Sequence, residues 1–463
     1  MSNTVQTVSP VDGRIYVERP LENAAGIDRA LERARAAQPA WGASSLAARC
    51  EVLKKAVDAF VAKGADIAVE ITWQMGRPIA HSPGEVRGFE ERARYMLEVA
   101  PRALAPVQPS DKPGFQRQIK RVPLGVVAVV APWNFPYLTA VNAVLPALIS
   151  GNAVVLKHSH QTPLCAERFL EAFASAGVPA GVFQYLHLSH ADTARLMGDP
   201  RVASVCFTGS VSGGHAVVAA TAGGFATSGL ELGGKDPAYV RADANLAYAI
   251  DSLTDGAFFN AGQSCCGIKR IYVDASRYDD FVAGVVDLTN KYRLGSPLDP
   301  GTTIGPVVRT SAADAVRAQV REAVSRGAQQ LINEASFAAS AAGTPYLAPQ
   351  VLVGVDHSMA IMREETFGPA VGIMKVSSDE EAVRLMNDSD FGLTAAIYSA
   401  DAARAEALGD LLETGTVFLN RCDYLDPALA WTGVKNSGRG CTLSSVGFEQ
   451  LTRPKSYHFK VAL

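Results

Sequence analysis

Two adjacent cysteines, Cys265 and Cys266, close the run Gly262-Gln263-Ser264-Cys265-Cys266. A thiol attacks only as thiolate, so a reactive cysteine needs donors or positive potential beside it and access for a substrate. Gly262 and Ser264 are small enough to leave that access. The apolar lead-in over 253–259 has helical spacing and stops at Asn260, and the β-branched run Ile271-Tyr272-Val273 follows. That pattern puts the pair at a helix end facing a cleft. A Cys-Cys pair taken alone is more often buried core than nucleophile, so the rest of the chain decides between the two.

A second group of residues suits a phosphate. Thr208-Gly209-Ser210-Val211-Ser212-Gly213-Gly214 has the glycine and serine content that lets backbone N–H groups and a hydroxyl approach an anion at a helix start. It lacks the GxGxxG spacing of a dinucleotide fingerprint. Lys157 ends an apolar run, where it either bonds ribose hydroxyls or is a solvated strand end.

These residues need a frame. Ser9-Pro10-Val11-Asp12-Gly13 reads as a turn between short strands, and helices are expected over 27–37, 47–61, 66–75 and 85–99, the last ending before Pro101. The stretch 106–120 lacks helical period and is expected to be an extended ribbon that contacts another subunit. From Val126 on, strands are expected at 126–130, 153–156, 182–186, 202–207 and 230–232, with helices at 138–148, 164–174, 191–197 and 214–222 between them. Such alternation predicts a parallel, doubly wound sheet, whose ligands lie at the carboxyl ends of the strands. Three loops at such ends, around Trp133-Asn134-Phe135, Lys157-His158-Ser159-His160 and Gly209-Ser210, would face one ligand. A second α/β domain is expected from the strands at 270–273, 371–374, 395–398 and 417–419 with helices between. The tail over 452–461 alternates as a terminal strand, expected to pair with the ribbon of a second subunit.

Composition narrows the partners. The chain has 463 residues, 48% hydrophobic and 19% charged, with a net charge of −3, enough for two or three domains with real cores. No Lys/Arg block favours nucleic acid or an anionic membrane. The longest apolar run, 122–132, is too short to span a bilayer. Seven irregularly spaced cysteines with no CxxC pair give no metal site, and with no signal-peptide pattern at Met1-Ser2-Asn3-Thr4 the expected compartment is the cytoplasm.

Six motifs then occur in order: Pro132-Trp133-Asn134-Phe135-Pro136, Phe207-Thr208-Gly209-Ser210, Glu231-Leu232-Gly233-Gly234-Lys235, Gly262-Gln263-Ser264-Cys265, Glu364-Glu365-Thr366-Phe367-Gly368-Pro369 and Lys435-Asn436-Ser437-Gly438. In order and spacing the chain resembles the aldehyde dehydrogenase superfamily over nearly its whole length. The resemblance implies two doubly wound α/β domains, a Rossmann-type cofactor domain and a catalytic domain, with a small β oligomerisation element. The corresponding boundaries are 1–104 with 122–233, 234–440, and 105–121 with 441–463. A homodimer or homotetramer is expected.

By motif position Cys265 would be the nucleophile, Cys266 its nonreactive neighbour, Asn134 an oxyanion donor and Glu231 the general base. The implied reaction is oxidation of an aldehyde to the acid through a thiohemiacetal and a thioester, with NAD(P) taking the hydride. Relatives that transfer the acyl group to coenzyme A commonly lack the glutamate, so Glu231 favours hydrolysis. The intact set speaks against a noncatalytic structural member. Cofactor contacts would fall to Trp133, Lys157, Ser159, His160, Gly209, Ser210, Gly214, Leu232, Glu365 and Phe367. His160 stands where many NAD-preferring relatives carry a glutamate that repels a 2′-phosphate. A protonated His160 would favour that phosphate, but most imidazole is neutral near pH 7; with no arginine in the loop, NAD comes first and NADP second. Leu138, Asn142, Ser264, Cys266 and Trp431 would line a neutral substrate tunnel. Some succinate-semialdehyde relatives place an arginine where Asn142 stands, so an apolar or aromatic aldehyde is expected ahead of a semialdehyde of that type.

Overall fold

The computed structural model describes residues 4–462. The first strands, β1 (Thr4–Val8) and β2 (Ile15–Pro20), form a hairpin closed at Gly13, whose φ of 75° suits the turn. Four helices follow: α1 (Ala24–Ala43), α2 (Leu46–Val61), α3 (Gly64–Met75) and α4 (Pro83–Ala103). Asn23 and Ser45 cap the first two by accepting from backbone N–H groups, and Gly76 ends α3 at φ 84°, as short polar caps and a left-handed glycine do. The expected stop before Pro101 does not occur. Pro101 lies in the last turn, and Leu104 N–H still bonds Ala100 O, so only one ladder bond is lost there.

The strands β3 (Phe115–Pro123), β4 (Val126–Ala131), β5 (Ala153–His158), β6 (Phe183–Tyr185), β7 (Val202–Thr208) and β8 (Thr227–Glu231) come next. Between and after them run α5 (Pro136–Ile149), α6 (Leu164–Ser175), α7 (His190–Met197) and α8 (Val211–Thr221). A second set of strands contains β9 (Asp236–Val240), β10 (Ile268–Asp274), β11 (Gln329–Gln330), β12 (Gln350–Val353), β13 (Ala370–Val376), β14 (Phe391–Gly392), β15 (Thr394–Tyr398), β16 (Thr416–Leu419), β17 (Val434–Lys435), β18 (Gly438–Arg439) and β19 (Thr452–Lys460). The first sheet has the order β18-β8-β7-β4-β5-β6, parallel except for β18. The chain leaves β4 towards β5 and β6 and later returns to its other side for β7 and β8, so the order reverses between β4 and β7. In open α/β sheets a ligand binds in the crevice at such a reversal. β4 and β5 are buried along their whole length, as a sheet covered by helices on both faces requires.

The second sheet runs β11-β12-β13-β10-β9-β15-β16. Its inner strand β9 was not expected; it opens on an acid and a proline. Asp236 is tolerated at the strand start because its Oδ2 accepts from Thr394 N–H (3.1 Å) and Oγ1 (2.6 Å). The ribbon also differs from expectation: β19 pairs antiparallel with β3 of the same chain, from Thr452 opposite Pro123 to Lys460 opposite Phe115. An intramolecular partner avoids the loss of translational freedom that a second subunit would bring.

The loops that matter lie where the two sheets meet. Those leaving the carboxyl ends of β4, β5, β7 and β8 carry Trp133 to Phe135, Ser159 and His160, Gly209 and Ser210, and Leu232; those entering the amino ends of β9, β10 and β13 carry Gly233 to Lys235, Gly262 to Gly267, and Glu364 to Pro369.

Candidate active site

The helix α9 (Leu246–Phe258) ends in a tight turn, and Asn260, Ala261 and Gly262 then take φ of 53°, 55° and 70° in succession. Left-handed backbone at a non-glycine residue costs on the order of 1 kcal/mol or more and persists only where neighbours fix it. A Cβ on Gly262 would lie 2.3 Å from Gly368 O, so only glycine passes beneath the Glu364–Pro369 motif. Gln263 Nε2 donates to Asn260 O (3.0 Å), and its Oε1 accepts from Val308 N–H (2.7 Å). Beyond the turn, Lys269 Nζ donates to Ser264 O, Cys265 O and Gly267 O at 2.8, 2.8 and 3.1 Å. The loop is thereby held on both sides, and Cys265 is left part-exposed on the wall of a cavity of about 350 Å³.

Glu231, the last residue of β8, opens on the same cavity. Its Oε1 accepts from Thr442 Oγ1 (2.5 Å) and its Oε2 from Thr208 Oγ1 (3.1 Å). Burial pushes its pKa above the ordinary 4.5, against the downward pull of the two hydroxyls and Arg92. A carboxylate so placed is a stronger base than one in water.

Asn134 is 6% exposed, and its Nδ2 donates to Gln263 O at 3.2 Å. That is one hydrogen bond from an NH₂ group with two donors, and no second one is made among the described residues. The Asn134 carbonyl accepts from Asn260 Nδ2 (3.1 Å) and from Arg77 Nη2. Arg77 also donates from Nε to Asn260 Oδ1 (3.1 Å) and pairs through Nη1 with Glu85 (2.5 Å), both members being buried. Glu85 in turn accepts from the N–H groups of Tyr137 and Leu138 at the start of α5, both at 2.9 Å. This Arg77–Glu85–Asn260 network was not anticipated; its only sequence signal is an arginine and a glutamate in stretches otherwise committed to the core.

Cys266 differs from its neighbour. Its Sγ donates to Asp423 Oδ1 (3.1 Å), which also accepts from Ser264 Oγ (2.7 Å). Hydrogen bonding to Cys265, then burial, push the Cys266 thiol well above its usual range, so its thiolate is the disfavoured one. Asp423 was likewise missed, sitting at φ 48° in a loop with no periodicity.

On the cofactor side, Lys157 is 6% exposed at the carboxyl end of β5, and its ammonium has no hydrogen-bond or ion-pair partner among the described residues. Burial alone lowers its pKa to about 8. It is therefore not the solvated strand end that was one of its two readings. α8 starts earlier than expected, at Val211, so Ser210 becomes its cap and accepts from Gly213 N–H (3.1 Å). Cβ atoms on Gly209 and Gly213 would meet the Phe207 ring at 2.6 and 2.4 Å, and one on Gly214 would meet Leu232 at 2.8 Å. The glycines thus lay the loop flat on those side chains, with Gly209 N–H bonded to Glu231 O (3.0 Å) and Gly214 N–H to Ser210 O (2.9 Å). Across the crevice, Glu365 Oε1 accepts from Gly234 N–H (3.1 Å), and Phe367 packs edge-on against Trp133 at 5.6 Å. Ser159 Oγ accepts from Gln161 N–H (3.2 Å). His160 Nε2 sits 2.6 Å from Leu188 O, and burial holds its pKa at about 4. At neutral pH the ring is uncharged, with Nε2–H donating to Leu188 O, so burial works against a protonated His160 that would attract a phosphate. The unpartnered Lys157, the capped α8 start and the half-buried Glu365 form a cradle with donors at one end and an acceptor at the other, which fits a dinucleotide.

Leu138, Asn142, Ser264, Cys266 and Trp431 all line the cavity that holds Cys265. Those five are uncharged, but the cavity is not. Arg77, Glu85, Arg87, Glu91, Arg92 and Asp423 also wall it, because one face of α4 and the Asp423 loop close over it. Among the described residues no group of three or more His, Cys, Asp or Glu side chains is placed to hold a metal ion, and no helix is long and apolar enough to cross a membrane.

Over residues 1–457 the sequence matches the aldehyde dehydrogenase family. It is 34% identical over 473 aligned positions to the 3,6-anhydro-alpha-L-galactose dehydrogenase of Streptomyces coelicolor, covering 99% of this chain and 94% of that protein. It is 32% identical over 444 positions to the Escherichia coli succinate semialdehyde dehydrogenase [NAD(P)+] Sad, covering 96% and 95%. The crystal structure of succinic semialdehyde dehydrogenase from Streptococcus pyogenes with NADP+ superposes with a TM-score of 0.93 at 30% identity, covering 98% of this chain and all of that one.

Proposed function

Because the chain belongs to the aldehyde dehydrogenase family, we propose that it oxidises an aldehyde to its carboxylic acid in two half-reactions on Cys265. The observation that carries the assignment is that Cys265 and Glu231, distant in sequence, wall one cavity while the Asn134 amide reaches the loop bearing Cys265. In this reading the Cys265 thiolate adds to the aldehyde carbon. The resulting alkoxide is met by the free N–H of Asn134 Nδ2 and the backbone N–H of Cys265, donors of a kind worth about 10²- to 10³-fold in rate. A bound NAD or NADP supplies the hydride acceptor that turns the thiohemiacetal into a thioester. Glu231 then takes a proton from water, the hydroxide attacks the thioester carbon, and the C–S bond breaks to release the acid and restore the thiolate.

Lys157 and His160 would hold the adenosine ribose, with the neutral His160 accepting a ribose hydroxyl at Nδ1. Ser210 and the α8 start would take the pyrophosphate, and Glu365 the nicotinamide ribose, with Phe367 and Trp133 as the wall. NAD stays first because no cation besides Lys157 stands in that loop. We carry forward the domain limits 1–104 with 122–233, 234–440, and 105–121 with 441–463, and cytoplasmic residence. Assembly as a homodimer or homotetramer would use β19, whose outer edge is unpaired among the described residues, with Phe459 in it 49% exposed and Val461 just after it 64% exposed.

The test is formation of reduced nicotinamide from NAD and NADP over a panel of aliphatic, aromatic and carboxylated aldehydes. Reduction without coenzyme A is expected. Strict dependence on coenzyme A, or no reduction with any aldehyde, refutes the reading.

A further inference from the structure

Arg92 is 7% exposed in α4 and lines the cavity with Cys265, Glu231 and Cys266. Gly84, Gly88 and Arg92 recur every four residues along α4, and all three face that cavity, the periodicity of one helix stripe. The guanidinium makes two hydrogen bonds, both from Nη1 and both to neutral acceptors: Leu138 O at 2.6 Å and Asn142 Oδ1 at 3.3 Å. Among the described residues no carboxylate lies within ion-pair reach of it. Glu85 and Glu231 are close enough to influence it, but Glu85 is already committed to Arg77 and two backbone N–H groups, and Glu231 to the hydroxyls of Thr442 and Thr208. A buried guanidinium without a counter-ion is costly, and burial accordingly pulls its pKa down.

Asn142 carries a matching deficit. It is 2% exposed and its Nδ2 is buried with no hydrogen-bond partner. Because Oδ1 faces Arg92, Nδ2 is turned away from it and remains a donor in want of an acceptor. The unused N–H groups of Arg92 and the orphaned N–H of Asn142 thus belong to one hydrogen-bonded pair on the wall of the cavity. An oxyanion on the cavity side would satisfy the unused N–H groups of Arg92, with Asn142 holding the guanidinium in place through Oδ1.

Resting on the dehydrogenase reading, we propose that Arg92 and Asn142 form an anion seat for a carboxylate at the far end of the aldehyde substrate, so that this enzyme takes ω-carboxy aldehydes. The absence of an arginine at position 142 had argued for a neutral substrate. The charge instead comes from α4, one hydrogen bond away from Asn142, and the adjoining side chain is an amide that Arg92 orients. The substrate's carbon chain then lies between this seat and Cys265, along Leu138, with the aldehyde at the sulfur.

Steady-state kinetics on 4-oxobutanoate and its methyl ester read the proposal directly, the ester having the same chain without the charge. Wild-type enzyme is expected to prefer the acid by at least about tenfold in kcat/KM, since a site built for a polar group rejects analogues that lack it. Arg92→Gln is expected to abolish that preference through KM for the acid. Asn142→Asp has nearly the same shape and gives Arg92 an internal counter-ion, and it is expected to abolish or reverse the preference. Arg92→Lys should retain part of it. A wild-type enzyme indifferent to the charge, or an Arg92→Gln loss of equal size on acid and ester, overturns the proposal; the latter would make Arg92 a support of the thiol. If no aldehyde is oxidised at all, the dehydrogenase reading fails. Calorimetric titration with the unreactive dicarboxylate succinate then still decides the seat: binding lost in Arg92→Gln supports it, and absence of wild-type binding overturns it.

Discussion

Replacing Arg77 with methionine removes the hub that joins α3's end, the Asn134 loop and the turn before Cys265. Three contacts go at once: Nη1 to Glu85, Nε to Asn260 Oδ1, and Nη2 to Asn134 O. Breaking a buried ion pair from one side costs about 3–5 kcal/mol, because the other charge is stranded. Glu85 keeps its two 2.9 Å bonds from the α5 start, where the helix dipole favours an anion, so the low end, about 3 kcal/mol, applies. In the double variant Arg77→Met/Glu85→Gln no charge is stranded. What remains is two lost hydrogen bonds, about 1–2 kcal/mol in all. Activity should not recover with stability. In both variants Asn134 and Asn260 lose a shared tether, and loosening an oxyanion donor costs about 10²-fold in kcat/KM. Urea unfolding followed by tryptophan fluorescence gives the first quantity and aldehyde turnover the second. A single variant losing less than about 1 kcal/mol, or a double variant that regains activity along with stability, would refute the reasoning.

Other outcomes follow from the same geometry. Cys265→Ala should abolish aldehyde oxidation while Cys266→Ala keeps most of it, and equal losses in turnover assays would reverse the assignment. A pH profile should carry two limbs. Turnover limited by hydrolysis should fall as acid protonates Glu231, through a pKa above the ordinary 4.5, and that limb should vanish in Glu231→Gln. KM for the cofactor should rise above pH about 8, where Lys157 loses its charge; a flat cofactor KM from neutrality to alkaline pH would remove Lys157 from the ribose. Gly262→Ala forces a Cβ to 2.3 Å from Gly368 O at φ 70°, and a loss of about 2–4 kcal/mol in thermal or urea unfolding is expected.

Both sheets were largely legible because their strands are short β-branched runs between helices of clear period, and the loops at the ends of β4, β5 and β7 stand out in the sequence itself. The inner strand β9 was not, since a buried acid beside a proline gives no strand signal until Thr394, far along the chain, supplies the two hydrogen bonds that admit it. The partner of β19 was misassigned because pairing along a ribbon carries no mark of whether its mate is in the same chain. Cys265, Glu231 and Asn134 were singled out by their place in motifs. Arg92 and Asp423 lie outside them, and what makes each notable is burial beside a cavity, which sequence spacing does not encode. Arg92 illustrates the limit well: position 142 was read for charge at one residue, whereas the guanidinium that reaches it comes from another helix.

The central claim is that Cys265 carries the acyl group and Glu231 releases it. The most direct measurement is rapid mixing of Glu231→Gln with aldehyde and cofactor, followed by acid quench and peptide mass analysis. A burst of reduced nicotinamide close to one equivalent per active site, slow turnover after it, and an acyl mass increment on the peptide containing Cys265 are predicted, with the increment absent in Cys265→Ala. No burst and an unmodified peptide would contradict the account, because Glu231 would then be needed before the thioester forms.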